Sequence, residues 1–372
     1  MSINRVNSFT STLLNQLYAS QNKTGNIALS GISLYVLLGA IDVGLQGRSH
    51  NQLYHFLGEK FDDFYDTDNW RSSDTAKKWS HLRELYTSLS IAHTVLFYSC
   101  GIHDHYKQIS DSIFTLKKIK IDFSNRITSA LKMNKWMSQR TFGAIQNVFD
   151  QSTLTDNILV FINTLFFRAN WRNKFNPELT KQEIFYEDNG QQLQVAMMNQ
   201  EIYQKIFDSP HYIFKILFRP FTENIYSAII LPRDGHAVND VLQILNLDQL
   251  YNYFKLFTWK YVKLKLPKFK ILSQKDFVHT LKKFKVADMF DRNHSDFGWM
   301  TNQKVFIGNL IQVSNIAIDE SGLTDAHGTI SMEESASEPY EFYVTKPFLF
   351  LVFSPSDKLV IFSAIVKNPS PS

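Results

Sequence analysis

The sequence has one cysteine, Cys100, among its 372 residues, so no disulfide can form within the chain. It also has no apolar run of about eighteen residues, the length that a helix needs to cross a bilayer. The N-terminus MSINRVNSFTSTLLNQL lacks a continuous apolar segment followed by a small-residue cleavage site, so we expect no signal peptide. These absences predict a protein without a membrane span, either cytoplasmic or released from the cell by a leaderless route.

A large excess of one charge is missing as well. The formal net charge is +4, and the 39 Lys and Arg residues are scattered, so we expect no nucleic-acid partner. Two local exceptions are the basic stretches 117–120 and 263–270. They are consistent with weak binding of a sulfated glycosaminoglycan, but solvated strand and helix faces explain them as well, and we favour that interpretation.

The motifs of common enzymes are absent. There is no Gly-rich phosphate loop and no G-x-G-x-x-G, H-E-x-x-H or G-x-S-x-G pattern. His103 and His105 stand close together, but no third ligand is near them in the sequence, so we interpret them as a solvated turn and expect no metal. Cys100 has no motif that identifies a base, and we expect a buried, inert thiol. The sequence therefore predicts no catalytic residue, no cofactor and no enzyme.

Phenylalanine is abundant, at 31 residues, and the apolar fraction of 44% predicts a sizeable core. Helical spacing predicts helices at 4–20, 32–45, 74–89 and 274–284. Continuous apolar runs predict buried strands at 158–167, 226–232 and 349–353, and alternation predicts a half-solvated strand at 261–271. Because helices and strands mix without βαβ order and no linker is visible, we predict an α+β fold in a single domain, residues 1–372.

Several segments together resemble the serpin family of serine protease inhibitors. The family signature is an Asn-x-Trp helix and a Thr-x-x-x-Ile turn before a central strand with an Asn and a Trp. It is matched by MNKWMSQRTFGAIQNVF and VFINTLFFRANWRNKFNPELT, at Asn134, Trp136, Thr141, Ile145, Asn163 and Trp171. Other family segments are matched by GNIALSGISLYVLLGAIDVGLQG, LPKFKI, TKPFLFLVF and LVIFSAIVKNP. The resemblance spans the chain in the family's order.

The resemblance implies three β-sheets, eight or nine α-helices and an exposed reactive-centre loop at about 320–346. In inhibitory members a serine protease attacks this loop as a substrate, and the cleaved loop inserts into the main sheet before the acyl-enzyme hydrolyses. Serpin loop insertion is itself an established example of β-strand addition. Such an inhibitor needs no catalytic residue of its own, which agrees with the missing motifs. The resemblance implies a monomer whose partner is a serine protease.

The resemblance also implies a position for the reactive bond. The family's loop starts at a Glu with a Gly two residues later, here Glu320 and Gly322, and the scissile bond lies sixteen residues after that Glu. The spacing implies cleavage between Ala336 and Ser337. An Ala before the bond suits an elastase-like protease, and a different register of cleavage leaves a chymotrypsin-like protease open.

The hinge of the loop departs from the pattern of inhibitory members. In the family register, insertion turns Leu323, Asp325 and His327 toward the core, whereas inhibitors have small residues there. Burial of an unpaired carboxylate costs several kcal/mol, although Asp325 and His327 share a face and could pair. Only Ala326 and Gly328 conform. The alternative function is therefore that of a non-inhibitory serpin, which serves as a binding protein, a carrier or a protease substrate.

In the family, a polar cluster lies where the main sheet opens, formed by a Ser-Pro-x-Ser helix start, a central Asn and a His. The corresponding residues here are Ser30, Ser33, Asn163 and Gln312. Gly31 replaces the Pro, and Gln312 replaces the His. Gln312 still donates and accepts hydrogen bonds, but it brings no pH-dependent charge. Trp171 matches a family Trp near the top of the sheet that opens.

Overall fold

The structure is a computed structural model that describes residues 3–65, 69–155, 158–167, 169–221, 224–321 and 338–370. In these ranges the α-helices are α1 Ile3–Ser20, α2 Gly31–Asp42, α3 Gly47–Leu57, α4 Asp74–Thr87, α5 Asp104–Ser112, α6 Arg126–Arg140, α7 Val238–Ile244, α8 Leu250–Lys255 and α9 Val278–Lys283. No helix in the described ranges combines the length and apolarity that a membrane span requires.

Local chemistry accounts for several helix boundaries. Ser73 is the N-cap of α4, and its hydroxyl accepts a hydrogen bond from the Ala76 N–H at 3.1 Å. Asn125 is the N-cap of α6, and its side chain accepts a hydrogen bond from the Thr128 N–H at 3.2 Å. α3 ends at Gly58, which has a φ of 66° that a residue without a Cβ adopts at no steric cost. α1 and α4 confirm the helices predicted at 4–20 and 74–89.

The strands are β1 Ile27–Leu29, β2 Ser90–Tyr98, β3 Lys117–Lys120, β4 Ile158–Phe167, β5 Lys181–Tyr186, β6 Gln192–Phe207, β7 Phe214–Pro220, β8 Tyr226–Pro232, β9 Thr258–Pro267, β10 Phe269–Asp276, β11 Phe306–Ile318, β12 Tyr340–Tyr343, β13 Phe348–Ser354 and β14 Leu359–Val366. Every side chain of β4, β13 and β14 is buried. The apolar runs at 158–167, 226–232 and 349–353 are thus confirmed as strands, and those of β4 and β13 are buried throughout, as a core position requires.

Two boundaries predicted from local patterns are wrong. The strand predicted at 261–271 is divided, because β9 ends at Pro267, which has no N–H to continue a ladder, and β10 begins at Phe269. The helix predicted at 274–284 is shorter, since residues 274–276 belong to β10 and α9 covers only Val278–Lys283. β10 is hydrogen-bonded to β11, and this long-range pairing overrides the local helical pattern.

The described strands form two hydrogen-bonded networks. A five-stranded sheet has the order β10-β11-β4-β2-β3, so β11 and β4 are direct neighbours. A nine-stranded network has the order β1-β14-β13-β8-β7-β6-β9-β12, with β5 also paired to β6. This network has two portions that share β6, which pairs with β5 and β9 along most of its length and with β7 only at residues 205–207. The α+β class and the predicted family fold are confirmed.

Backbone contacts divide the chain into two compact units. One comprises Met1–Ile32, Phe166–Ser273 and Ser314–Ser372 and contains the nine-stranded network. The other comprises Ser33–Leu165 and Gln274–Val313 and contains most of the five-stranded sheet with α3 to α6. That the whole chain acts as a single domain stays a prediction.

Candidate functional site

The three residues that follow β11, residues 319–321, are here called the loop root. Their backbone carbonyls are held one after another by two aromatic residues. The Trp171 indole N–H donates to the carbonyl of Asp319 at 2.9 Å, and the Trp171 backbone N–H donates to that of Ser321 at 3.1 Å. The Phe175 backbone N–H donates to the carbonyl of Glu320 at 2.9 Å. The segment that leads into the predicted loop is therefore fixed by its main chain.

The Glu320 carboxylate adds a side-chain contact at the loop root. It accepts a hydrogen bond from the Thr180 hydroxyl at 2.7 Å and forms an ion pair with the Lys268 ammonium at 2.8 Å. Partial burial alone would raise the pKa of Glu320, but these two hydrogen bonds outweigh it, so the pKa lies below its usual value. Glu320 is therefore bound in its charged form.

Behind the loop root, Trp171 lies in an aromatic stack. Its ring lies 4.3 Å from that of Phe221 at an interplanar angle of 10°. The guanidinium of Arg219 lies 4.0 Å from the Phe175 ring and 4.9 Å from the Trp171 ring, in cation–π contact with both. Arg219 donates to the carbonyl of Asn173, whereas its Nε and Nη1 have no partner in the described residues. Burial lowers the pKa of this guanidinium. A buried cation thus packs against Trp171 and Phe175, the two residues that hold the loop root.

The second assembly, here called the polar cluster, consists of Ser33 on α2, Thr94 on β2, Asn163 on β4 and Gln312 on β11. Asn163 is fully buried, and its side-chain oxygen accepts hydrogen bonds from the Ser33 hydroxyl and, at 3.0 Å, from the Gln312 amide. The Gln312 amide also donates to Ser33 at 3.2 Å, and the Asn163 amide donates to Thr94 at 3.0 Å. Hydrogen bonds therefore connect three adjacent strands and a helix through neutral groups only.

Three of the four residues predicted for this cluster come together. The hydroxyl of the fourth, Ser30, donates to the carbonyl of Ile361 at 2.9 Å. Thr94 was missed, because the stretch around it was not predicted as a strand, although SIAHTVLFY is rich in the residues that favour strands. Arg219 was missed too, since an isolated Arg before a Pro gives no signal of burial. The role of the cluster in sheet opening stays a prediction.

The chain after the predicted reactive bond is anchored by β12. This strand pairs in parallel with β9, with Tyr340 opposite Val262 and Phe342 opposite Leu264. The Tyr340 hydroxyl donates to the carboxylate of Asp208, and the Lys260 ammonium lies 4.0 Å from the Tyr340 ring. The loop root is held by Trp171, Phe175 and Lys268, and β12 is held by β9. All of these residues belong to one compact unit, so both ends of the loop are anchored in that unit.

Apart from Glu320, the predicted hinge residues lie outside the described residues, as does the predicted reactive bond. They are Gly322, Leu323, Asp325, Ala326, His327, Gly328, Ala336 and Ser337.

The other candidates from the sequence have ordinary surroundings. His103 Nδ1 lies 3.2 Å from the carbonyl of Trp299, and His105 Nε2 lies 2.6 Å from that of Phe64, so their rings contact different parts of the chain. No group of three His, Cys, Asp or Glu side chains in the described ranges could hold a metal ion. Cys100 is buried, and that burial raises the pKa of its thiol.

Several lysines of the two basic stretches are paired with carboxylates. Lys118 contacts Asp111, and Lys265 lies 2.5 Å from Glu183. Lys268 is the partner of Glu320 described above. These pairs reduce the charge available to a polyanion and favour the interpretation of both stretches as solvated faces.

Comparisons with known proteins agree with this architecture. The family model described as Serpin (serine protease inhibitor) matches residues 4–369. Human serpin B7 is 25% identical over 363 residues, which cover 93% of each chain. The crystal structure of native protease nexin-1 with heparin has a TM-score of 0.86 at 21% identity and covers 99% of both chains. The crystal structure of human thyroxine-binding globulin complexed with thyroxine has a TM-score of 0.83 at 20% identity, and the match covers 99% of this chain and 98% of that chain.

A family model that matches nearly the whole chain, together with a fold shared with solved serpin structures, defines the class of protein. The chain belongs to the serpin family. The family consists of protease inhibitors together with non-inhibitory members such as thyroxine-binding globulin.

Proposed function

We propose that the chain inhibits a serine protease as a suicide substrate that is cleaved at Ala336–Ser337. The observation that supports this most is the direct neighbourhood of β11 and β4 in the five-stranded sheet. A segment that continues β11 beyond the loop root can fold back and add a strand between these two neighbours. The loop root and β12 hold both ends of that segment in the starting state.

Insertion of the cleaved loop would have to break identifiable contacts. The hydrogen bonds of Gln312 on β11 to Asn163 on β4 and to Ser33 on α2 tie the two strands that must separate. The ion pair between Glu320 and Lys268 must adjust at the start of the incoming strand. Inhibition requires this rearrangement to be faster than hydrolysis of the acyl-enzyme, and each 1.4 kcal/mol added to the barrier slows insertion about tenfold.

A second candidate is a non-inhibitory serpin, which binds a ligand or is simply cleaved. It is favoured by Leu323, Asp325 and His327, which stand where inhibitors have small residues. A carboxylate that enters the core without a partner adds several kcal/mol to the insertion barrier, enough to convert an inhibitor into a substrate.

A gel assay with elastase-, chymotrypsin- and trypsin-like proteases tests inhibition. We expect a covalent complex that survives SDS with an elastase-like enzyme and, on N-terminal sequencing, a released fragment that begins at Ser337. Cleavage within the loop by the whole panel, without any complex, would contradict inhibition. Adding heparin to the same reactions tests the weak glycosaminoglycan partner, with a faster reaction as the expected sign.

Thermal unfolding of the cleaved chain separates the two candidates. If the loop inserts, the cleaved chain should melt at a much higher temperature than the intact one, because the sheet gains a strand. An unchanged melting temperature would favour the non-inhibitory candidate.

The triple variant Leu323→Thr, Asp325→Ala and His327→Ala tests the hinge directly. We expect a larger yield of covalent complex relative to cleaved product, by about tenfold for each 1.4 kcal/mol removed from the barrier. The matched control is Glu333→Ala and Glu334→Ala in the same loop but beyond the hinge. An equal yield in the triple variant and the wild type would show that the hinge residues do not limit insertion.

A further inference from the structure

A cavity of about 250 Å³ lies beside the polar cluster in the unit that contains most of the five-stranded sheet. Its walls come from β2, from the start of β3, and from the last turns of α4 and α6. The volume is below the range of roughly 300–1,000 Å³ that is typical of sites for drug-sized ligands. The cavity therefore suits a small ligand or a single functional group of a larger one.

The walls of this cavity are basic. His93 on β2, Lys117 on β3 and Arg140 on α6 all line it, and no carboxylate is among the described residues that do so. Among the residues that the structure describes, the neighbouring lysines Lys107 and Lys118 form ion pairs, whereas Lys117 and Arg140 form none with a carboxylate. Burial lowers the pKa of His93, and the positive charges of Arg140 and Lys117 lower it further. The cavity thus concentrates positive potential that the protein itself does not neutralise.

A buried donor without a partner lines the same cavity. Trp136, on α6, is only 7% exposed, and its indole N–H has no hydrogen-bond partner in the described structure. Trp136 and Arg140 are four residues apart on one helix, so their side chains project from the same face. A buried N–H group without an acceptor is costly and calls for an explanation such as an acceptor supplied from outside.

The geometry points to a binding site for a phosphate or sulfate group, held by Arg140, Lys117 and His93. Guanidinium and ammonium groups are the usual protein donors to tetrahedral oxyanions. Threonine hydroxyls at 87, 94 and 115 complete the polar lining. The shared chemistry is a compact, doubly charged oxyanion, which is either a free ion or the end group of a sulfated saccharide. Such a site does not require that the chain inhibit a protease.

This site would be connected to the polar cluster. Thr94 lines the cavity and also accepts the hydrogen bond from the Asn163 amide at 3.0 Å. Tyr86, in the last turn of α4, lines the cavity together with Thr94. An anion that fixes α6 against β2 would therefore stabilise the strands next to β4. We expect it to raise the melting temperature of the intact chain by mass action.

Isothermal titration calorimetry with sodium sulfate, sodium phosphate and a sulfated heparin disaccharide tests the site, with sodium chloride at equal ionic strength as the reference. We expect saturable binding of at least one probe to the wild type. Binding should weaken roughly tenfold or more in Arg140→Gln, because a charge-assisted hydrogen bond is lost. The matched control is Arg126→Gln, an exposed Arg in the first turn of the same helix, and it should bind like the wild type.

The probes also identify the source of the anion. Tighter binding of the disaccharide than of sulfate would assign a saccharide ester, and equal or weaker binding would assign a free ion. Lys117→Gln, at an exposed position, gives a second variant that is expected to fold normally. If no probe saturates the wild type, or if Arg140→Gln and Lys117→Gln both bind as tightly as Arg126→Gln, the site does not exist.

The pH dependence gives an independent readout. The groups that face His93 are Lys117 on β3 and Arg140 on α6. A bound anion raises the pKa of His93, so sulfate, whose charge is constant in this range, should bind more tightly at about pH 6 than at about pH 8. This difference should vanish in His93→Gln. An unchanged pH dependence in that variant would remove His93 from the site.

Discussion

The loop root and the polar cluster are both expected to change when the sheet opens, yet they are fastened by different chemistry. The loop root combines backbone hydrogen bonds from Trp171 and Phe175 with a charged contact between Glu320 and Lys268. The polar cluster uses only amides and hydroxyls, which do not titrate near neutral pH. The difference implies that acid weakens the loop root while the hydrogen bonds of the cluster persist.

The largest expected effect is at the loop root. Trp171→Ala should lower the free energy of unfolding by about 3–5 kcal/mol, because it removes a buried ring and leaves a cavity beside Phe221. Urea denaturation measures the change. The matched control is Trp259→Ala at a residue that is 61% exposed, and it should cost less than about 1 kcal/mol. Equal losses of unfolding free energy in the two variants would mean that Trp171 does not stabilise the loop root.

A smaller effect is expected in the polar cluster. Asn163→Ala should destabilise the intact chain by roughly 2–3 kcal/mol, since Ser33, Gln312 and Thr94 each lose a buried partner. The loss should be the same at about pH 5 and about pH 8, because none of these groups titrates in between. Asn293→Ala, at an exposed position, serves as the control and should stay within about 0.5 kcal/mol of the wild type. A loss that varied with pH would contradict the neutral character of the cluster.

The smallest expected effect is a pH dependence of stability that only the loop root should show, because it contains the charged contact of Glu320. The pKa of Glu320 is lower in the folded chain than its usual value of 4.5. Its stabilisation is therefore complete above that pH and is lost as the pH falls through the lower folded pKa. Glu320→Gln should cost about 1 kcal/mol at neutral pH, and its denaturation midpoint should fall less than that of the wild type on acidification.

Glu178→Gln is the control for this variant, because Glu178 is exposed and lies just before Thr180 in the sequence. It should retain the full acid sensitivity of the wild type. If Glu320→Gln were as acid-sensitive as this control, the contact between Glu320 and Lys268 would not distinguish the loop root from the cluster.

The fold was largely predictable because its core strands carry strong local signals. The run ILVFINTLFF is apolar throughout, and β4 is buried on both faces as such a run requires. The order of family segments then implied the remaining architecture. Local patterns failed where a distant strand decides the outcome, as at residues 274–276, which belong to β10, the neighbour of β11, although their spacing suits a helix.

The candidate site was predictable only in part. Asn163, Gln312 and Trp171 were recognised from their positions in the family pattern, and the contact between Asn163 and Gln312 follows from the neighbouring strands that carry them. Arg219 and Thr94 were not, because their importance comes from neighbours that are distant in the sequence. The Arg219 guanidinium contacts two aromatic rings, and Thr94 belongs both to the polar cluster and to the wall of the basic cavity. These contacts arise from tertiary packing, and no short sequence pattern encodes them.

The buried thiol of Cys100 has a practical consequence for following the loop. A thiol that is shielded and has a raised pKa reacts slowly with maleimide dyes, and it is the only one in the chain. A cysteine introduced at position 331, on the N-terminal side of the predicted reactive bond, would therefore take up a fluorophore selectively, without removal of the native Cys100. The colour or anisotropy of that single dye would then report, in real time, whether the cut segment leaves the solvent.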